Sequence, residues 1–257
     1  MNLHRSTRRR RILRVLSWLA SVFLVLLAGP VSVLAFGELT EWRTATRASS
    51  GQSPDPDNLR EPIVQVFGAR TLGWRGAFGV HTWIATKQAD ESRYMVSHVI
   101  GWRYYRGGSA VVVEPGTPDF HWFGARPTLL AEHRGPGVEA MIDDIDRAVA
   151  RYPYPDHYRA WPGPNSNTFT AWVAREVPAL ALDLPPNALG KDYLGTRTLL
   201  ARAPSGTGWQ VSILGLAGIT MAANEGIELN LLSLSGGLDV DDARLRLPGI
   251  GFVSLIR

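Results

Sequence analysis

Residues 15–36, VLSWLASVFLVLLAGPVSVLAF, run for 22 positions without a charged side chain. About 20 apolar residues in a helix cover the hydrocarbon core of a bilayer, so this run constrains the chain more than any other stretch. Arg5, Arg8, Arg9, Arg10, Arg11 and Arg14 precede it. Such a cluster stays on the cytoplasmic side, which sends residue 37 and everything after it across the membrane. Two readings fit the run. It is an uncleaved transmembrane anchor, or a cleavable signal peptide, because Pro30 interrupts it and Val33-Leu34-Ala35 offers small residues to a signal peptidase. The run exceeds the usual apolar length of a signal peptide, which favours the anchor. Either way the body faces the exterior side, as in the periplasm of a bacterium.

The same arginines explain the charge. The chain has 27 Lys and Arg against 23 Asp and Glu, net +4, with a pI near 9.7. Without the six arginines of the tip, 21 basic residues face 23 acidic ones, a net of −2. The basic pI belongs to the tip, and the body carries no electrostatic footprint for nucleic acid. With no cysteine, disulfides, thiolate metal sites, a cysteine nucleophile and an acylated lipoprotein anchor are all excluded. Nine tryptophans and 26 glycines suit a sheet-rich domain with many tight turns. No cofactor is indicated.

After the basic tip (1–14) and the apolar segment (15–36), residues 37–60 contain Ser49-Ser50-Gly51-Gln52-Ser53-Pro54-Asp55-Pro56-Asp57. They read as a linker holding the domain off the bilayer. Residues 61–257 read as a single α+β envelope domain, mostly antiparallel sheet with two main packed helices. Short runs rich in Val, Ile, Thr and aromatics predict strands over 63–67, 80–86, 94–105 and 109–114, and later over 209–214, 218–222, 226–234 and 243–247. Gly107-Gly108 suits a tight hairpin. Val138, Met141, Ile142, Ile145, Ala148 and Val149 recur at helical spacing and predict the first helix. The second is predicted over 167–177, stopped by Pro178. The C-terminal β segment from 196 onward either completes the sheet or is a docking surface.

Residues 152–193 are more specified than an ordinary loop. Prolines surround Asn165-Ser166-Asn167-Thr168, which opens the second helix, and Pro185-Pro186 precedes Gly190-Lys191-Asp192-Tyr193. Asn and Ser suit a helix cap, whose side chain accepts from unpaired first-turn N–H groups. The same position suits a nucleophile helped by free N–H donors, provided a base is in reach. His81, at the start of a predicted strand, is the candidate base. Its ordinary reading is a strand histidine bonded to a carbonyl. Asp119, His121 and His133 match no ligand spacing of a metal site, and the acids Glu139, Asp143, Asp144 and Asp146 read as a solvated helix face.

Trp74-Arg75-Gly76-Ala77-Phe78, Val80-His81-Thr82-Trp83-Ile84, Trp161-Pro162-Gly163-Pro164-Asn165-Ser166-Asn167-Thr168-Phe169 and Leu184-Pro185-Pro186 with Gly190-Lys191-Asp192-Tyr193 resemble a bacterial family catalogued as domain of unknown function 3750. That resemblance implies a membrane-associated bacterial protein and no particular activity. The order of His81 before Asn165-Ser166-Asn167-Thr168-Phe169 also resembles circularly permuted NlpC-type papain-like hydrolases, with Ser166 at the cysteine position. This second likeness implies His81 as base, Ser166 as nucleophile, Asn165 or backbone N–H groups supporting an oxyanion, and His98, or else Glu114, orienting the base. A serine in a site built for a thiolate is commonly a poor nucleophile. Two functions are therefore carried. One is a non-catalytic envelope protein that binds a lipid, peptide or protein partner, with Trp161, Asn167 and Tyr193 as candidate binding residues. The other is a hydrolase or acyltransferase acting on envelope peptide or lipid acyl bonds. Both expect inner-membrane attachment and no nucleic-acid partner.

Overall fold

The computed structural model describes residues 3–255; the first two residues of the basic tip lie outside them. The fold is α+β, with two antiparallel sheets and four α-helices among the described residues.

Helix α1, Leu3–Phe36, runs unbroken through Pro30. Proline ordinarily interrupts a helix because it lacks an N–H and crowds the preceding turn. Here the Pro30 ring is buried against Gly249, where an added Cβ would stand 2.8 Å from Pro30 N. Gly29 sits as closely on Pro248, with only 2.1 Å between its missing Cβ and the Pro248 carbonyl oxygen. The C-terminal half of α1 is thus seated on the domain, while residues 9–21 are exposed.

The first sheet has five strands, β1 Ile63–Arg70, β2 Val80–Lys87, β3 Met95–Val99, β4 Val111–Pro115 and β5 Thr128–Arg134, in the order β4-β3-β2-β1-β5. Helices α3, Val138–Ala150, and α4, Ser166–Glu176, cover one face, where Val64, Val66 and Ile84 meet Ile142, Ile145, Phe169 and Val173. On the other face Phe67, Trp83, Tyr94 and Val96 pack with Phe120 and Trp122. The expected strand over 94–105 stops at Val99, and Gly101–Tyr105 forms a short helix, α2. Aromatic content alone suggested strand, but Gly101 lies against the Tyr158 ring, where a Cβ would come within 2.4 Å, and the chain turns there. Gly107-Gly108 accordingly joins α2 to β4 and makes no strand hairpin.

Where composition suggests a spacer, the structure ties the chain down. Asp119 accepts from the Ser49 and Ser50 hydroxyls at 2.8 and 3.0 Å and from Gln52 N–H at 2.6 Å. Ser53 Oγ donates to Gln65 on β1, and Ser49 bridges Phe120.

The second sheet is a seven-stranded meander, β6 Leu200–Arg202, β7 Gly208–Ile213, β8 Ala217–Ala222, β9 Gly226–Leu231, β10 Leu234–Asp239, β11 Arg244–Leu247 and β12 Gly251–Ser254. Sequence reading merges β9 with β10 across the Leu232-Ser233 turn, where both residues adopt positive φ. In this sheet the buried face is the polar one: Gln210, Ser212, Thr220, Glu228, Asn230, Ser235 and Arg246 are all buried. They meet Lys191 and Asp192. Lys191 Nζ donates to Asp192 at 2.8 Å and also to Glu228, which receives Arg246 at 2.8 Å. Asp192 further accepts from Asn230, Ser235 and Gln210. Burial would raise the Asp192 carboxyl, but Lys191 and these donors hold it below its ordinary value. Replacing Asp192 with Ala removes one of the two carboxylate partners of the Lys191 ammonium and leaves three buried donors without their acceptor. The expected loss is roughly 3–5 kcal/mol, read from the denaturant midpoint of the detergent-solubilised chain.

Candidate functional site

The capping of α4 sets the site's frame. Asn165 is the N-cap: its Oδ1 accepts from Asn167 N–H at 2.9 Å and Thr168 N–H at 3.1 Å, and Thr168 Oγ1 accepts from Asn165 N–H in return. Asn165 Nδ2 donates to the carbonyls of Ala160 and Leu189. Both amide hydrogens are thereby engaged, so the side chain expected to support an oxyanion has no N–H left to offer. Gly190, at φ +96°, comes so close that a Cβ would lie 2.4 Å from Asn165 Nδ2, and only glycine fits there. Asn167 is equally committed. Its Nδ2 donates to Val80 and Leu189 carbonyls and its Oδ1 accepts from Thr82 Oγ1, pinning the helix start to β2.

Strand alternation then separates the expected pair. Thr82 faces α4, bonding Asn167 and Thr170. His81 lies on the opposite face, with its ring stacked 3.7 Å from Trp122 at an interplanar angle of 11°. Its Nε2 is 3.1 Å from His98 Nδ1, one nitrogen donating to the other. Of the two residues named as partners for His81, His98 makes this contact, whereas Glu114 stands exposed on β4. No hydrogen bond joins the Ser166 hydroxyl to either imidazole among the described residues. The β2–β3 ladder covers only Ile84↔Ser97 to Thr86↔Met95, so the strands part toward Val80. At that parted end, His81, Asn165, Ser166 and Asn167 all line one cavity of about 970 Å³.

Most of the cavity wall is aromatic or aliphatic. Trp42, Trp74, Trp102, Trp122, Phe123 and Trp161 contribute, and Phe23 and Leu27 bring α1 into the lining. Arg47 lies 5.3 Å from the Phe123 centroid and 5.6 Å from that of Trp122. Arg47, Arg75 and Arg106 line the cavity, and among the described residues none is within ion-pair distance of a carboxylate. Trp161 is half exposed and its Nε1 donates to the Leu232 carbonyl at 3.1 Å, clipping the loop to the second sheet. Tyr193 lies outside the cavity lining, edge-on to Tyr154 at 5.9 Å. Asp119, His121 and His133 serve separate contacts: Asp119 holds the 49–53 loop, His121 pairs with the Ala48 carbonyl and His133 with that of Leu180.

Apart from His98, sequence reasoning missed the residues that surround His81. Trp122 and Arg47 come from segments distant in the chain, and nothing in their local spacing marks them. The adjacent run Asp119-Phe120-His121-Trp122-Phe123 was the one available signal, as a dense aromatic cluster.

The model of a family described as protein of unknown function (DUF3750) matches residues 61–193, just over half of the chain. The chain belongs to this family. Comparison with curated proteins and with solved structures gave no match. The DUF3750 match holds the first sheet, α3, α4 and all of the capped loop, and it ends before the second sheet begins.

The two histidines contribute a pH dependence to the stability of this DUF3750 chain. Burial, then the neighbouring His98 and Arg47, lower the His81 pKa well below 6.5; burial, then Arg47 and Arg103, lower that of His98 to about 3. Both stay neutral when folded but take protons when unfolded below about 6.5. Their contribution is therefore present above the unfolded value and lost as the pH falls. Each histidine costs roughly 1.4 kcal/mol of stability per pH unit in that window. The melting temperature is expected to fall between pH 6.5 and 5, and less steeply in His98→Gln; equal slopes in the two chains would exclude the pair as the source.

Proposed function

We propose that this membrane-associated chain binds one amphipathic ligand, with an apolar body and an anionic end, in the aromatic cavity. The single observation that carries the reading is the lining itself: indole and phenyl faces around three arginines that have no carboxylate within ion-pair distance among the described residues. A cavity near the upper end of the ordinary range for ligand sites, walled by rings, favours acyl or other apolar groups. Unpaired guanidinium groups favour a carboxylate or phosphate beside them. The contribution of Phe23 and Leu27 brings the cavity to the apolar helix, so a membrane lipid is the natural source of such a ligand. This reading keeps α1 uncleaved, with the arginine tip cytoplasmic and the domain on the periplasmic side of a bacterial inner membrane.

The test is binding of a fluorescent anionic amphiphile, dansyl-undecanoate, to the full chain in nonionic detergent, followed by energy transfer from tryptophan. Arg47→Gln and Trp161→Ala are each expected to weaken binding by about tenfold, equivalent to about 1.4 kcal/mol, whereas Ser166→Ala leaves it unchanged. Binding that ignores Arg47 would remove the anion-selective reading.

A second reading rests on one specific observation, the His81–His98 hydrogen bond at 3.1 Å beside a cavity that Ser166 also lines. In an acyl hydrolase, His81 takes the Ser166 hydroxyl proton as Oγ adds to an acyl carbonyl, with His98 fixing the imidazole's orientation. The tetrahedral adduct then expels its alcohol or amine, which takes that proton from His81, and water afterwards releases the acyl group from Ser166. A ligand or local movement has to close the gap between Ser166 and His81. Labelling of the full chain by a fluorophosphonate probe, abolished in both Ser166→Ala and His81→Ala, is the result this reading requires. An unlabelled but folded wild-type chain leaves binding as the function.

A further inference from the structure

The second sheet is built the opposite way round from a sheet in water. Its polar side chains face inward, and its outer face carries Val211, Ile213, Met221, Ile227, Leu229 and Leu238, each 42–56% exposed. The register places them together: Val211 opposes Ile219, Met221 opposes Ile227, and Ile227 opposes Leu238. Isolated exposed apolar residues are ordinary, but a contiguous apolar face marks an interaction surface. The charged residue that the register sets on this face is Arg202, on the edge strand β6. It lies over Trp209 at 5.2 Å.

Three observations say what covers the face. Gly236 opposes Leu229 and so belongs to it, and Leu26 of α1 lies on Gly236, where a Cβ would be 2.7 Å from Leu26 Cδ2. The face is therefore continuous with a helix long and apolar enough to cross a membrane. The hairpin turns at one end of the sheet are apolar, Leu214-Gly215-Leu216, Leu232-Ser233 and Pro248-Gly249-Ile250, and the last of them packs on α1 through Gly29 and Pro30. Exposed Asp241 and Asp242 lie at the opposite end. Strands β7 to β11 are each paired on both sides, so the face offers side chains and not unpaired backbone to its surroundings.

We infer that the outer face of the second sheet is a membrane-docking surface, seated in the hydrocarbon of the leaflet into which the C-terminal half of α1 emerges. The chain is thus held by a spanning helix and by a sheet face together, and the domain rests in the membrane surface without a spacer. This inference stands independently of what the cavity binds.

The chain has no cysteine, so one introduced residue gives a unique label. Met221→Cys and Leu229→Cys on the face, and Glu139→Cys on the solvent side of α3, are spin-labelled in the full chain. Each is reconstituted into phosphatidylcholine–phosphatidylglycerol vesicles, and collision with oxygen is compared with collision with a water-soluble nickel chelate. Labels at 221 and 229 are expected to favour oxygen several-fold over the label at 139. Nickel access at 221 and 229 equal to that at 139 would overturn the proposal. So would spin–spin broadening at those sites that disappears on dilution with unlabelled chain, which assigns the face to a second copy. The two face positions lie on different strands, so if one label disturbs the sheet the other carries the test; a melting transition matching that of the unlabelled chain qualifies each.

Discussion

The buried charges between Lys191-Asp192 and the second sheet set the polarity of the whole C-terminal half. Lys191, Glu228, Arg246 and Asp192 form a chain of ion pairs, and Asn230, Ser235 and Gln210 complete the Asp192 carboxylate. Buried charges are tolerable only when fully paired and hydrogen-bonded. Satisfying them requires the polar face of the meander to turn inward, and the alternation of a strand then leaves the apolar face outside. The unusual outer surface follows from the interior.

The same loop that supplies Lys191 and Asp192 also builds the cavity. Leu189 accepts from Asn165 and Asn167, and Gly190 accepts from Thr168. One segment therefore fixes the start of α4 on one side and the second sheet on the other. The side chains of Asn165 and Asn167 act here as braces. Their commitment to backbone carbonyls gives the cavity a rigid floor, and in the proposed binding role recognition falls to the aromatic rings and arginines around them.

The histidine pair shows how a site combines stability with strain on protonation. His81 is held between Trp122 and His98, in a setting that suits a neutral ring. Arg47, above the same aromatic cluster, adds positive potential. The arrangement disfavours an imidazolium and favours an anion arriving from the cavity, which links the electrostatics of the pair to the proposed ligand.

The apolar run at residues 15–36, the charge-bearing tip, the α+β class, the two packed helices and a polar cap at the start of the second were legible in the sequence, because each depends on neighbours within a few residues; that the cap is Asn165, with Ser166 already inside the helix, was not. Helical spacing and cap chemistry are local. The alternation of residues 209–213 and 226–231 was also present as a pattern, but which side of it is buried depends on Lys191 and Asp192 arriving from elsewhere. The same holds for His81: the sequence marked the residue, and only the tertiary structure turned its ring away from α4 toward His98 and Trp122. The 37–60 stretch reads as a spacer by composition, yet Asp119, 67 residues after Gln52, collects donors from residues 49–53 and fastens that part to the domain. Local chemistry decided the elements; side-chain pairing across long sequence separation decided the faces, and with them the cavity and the outer sheet surface.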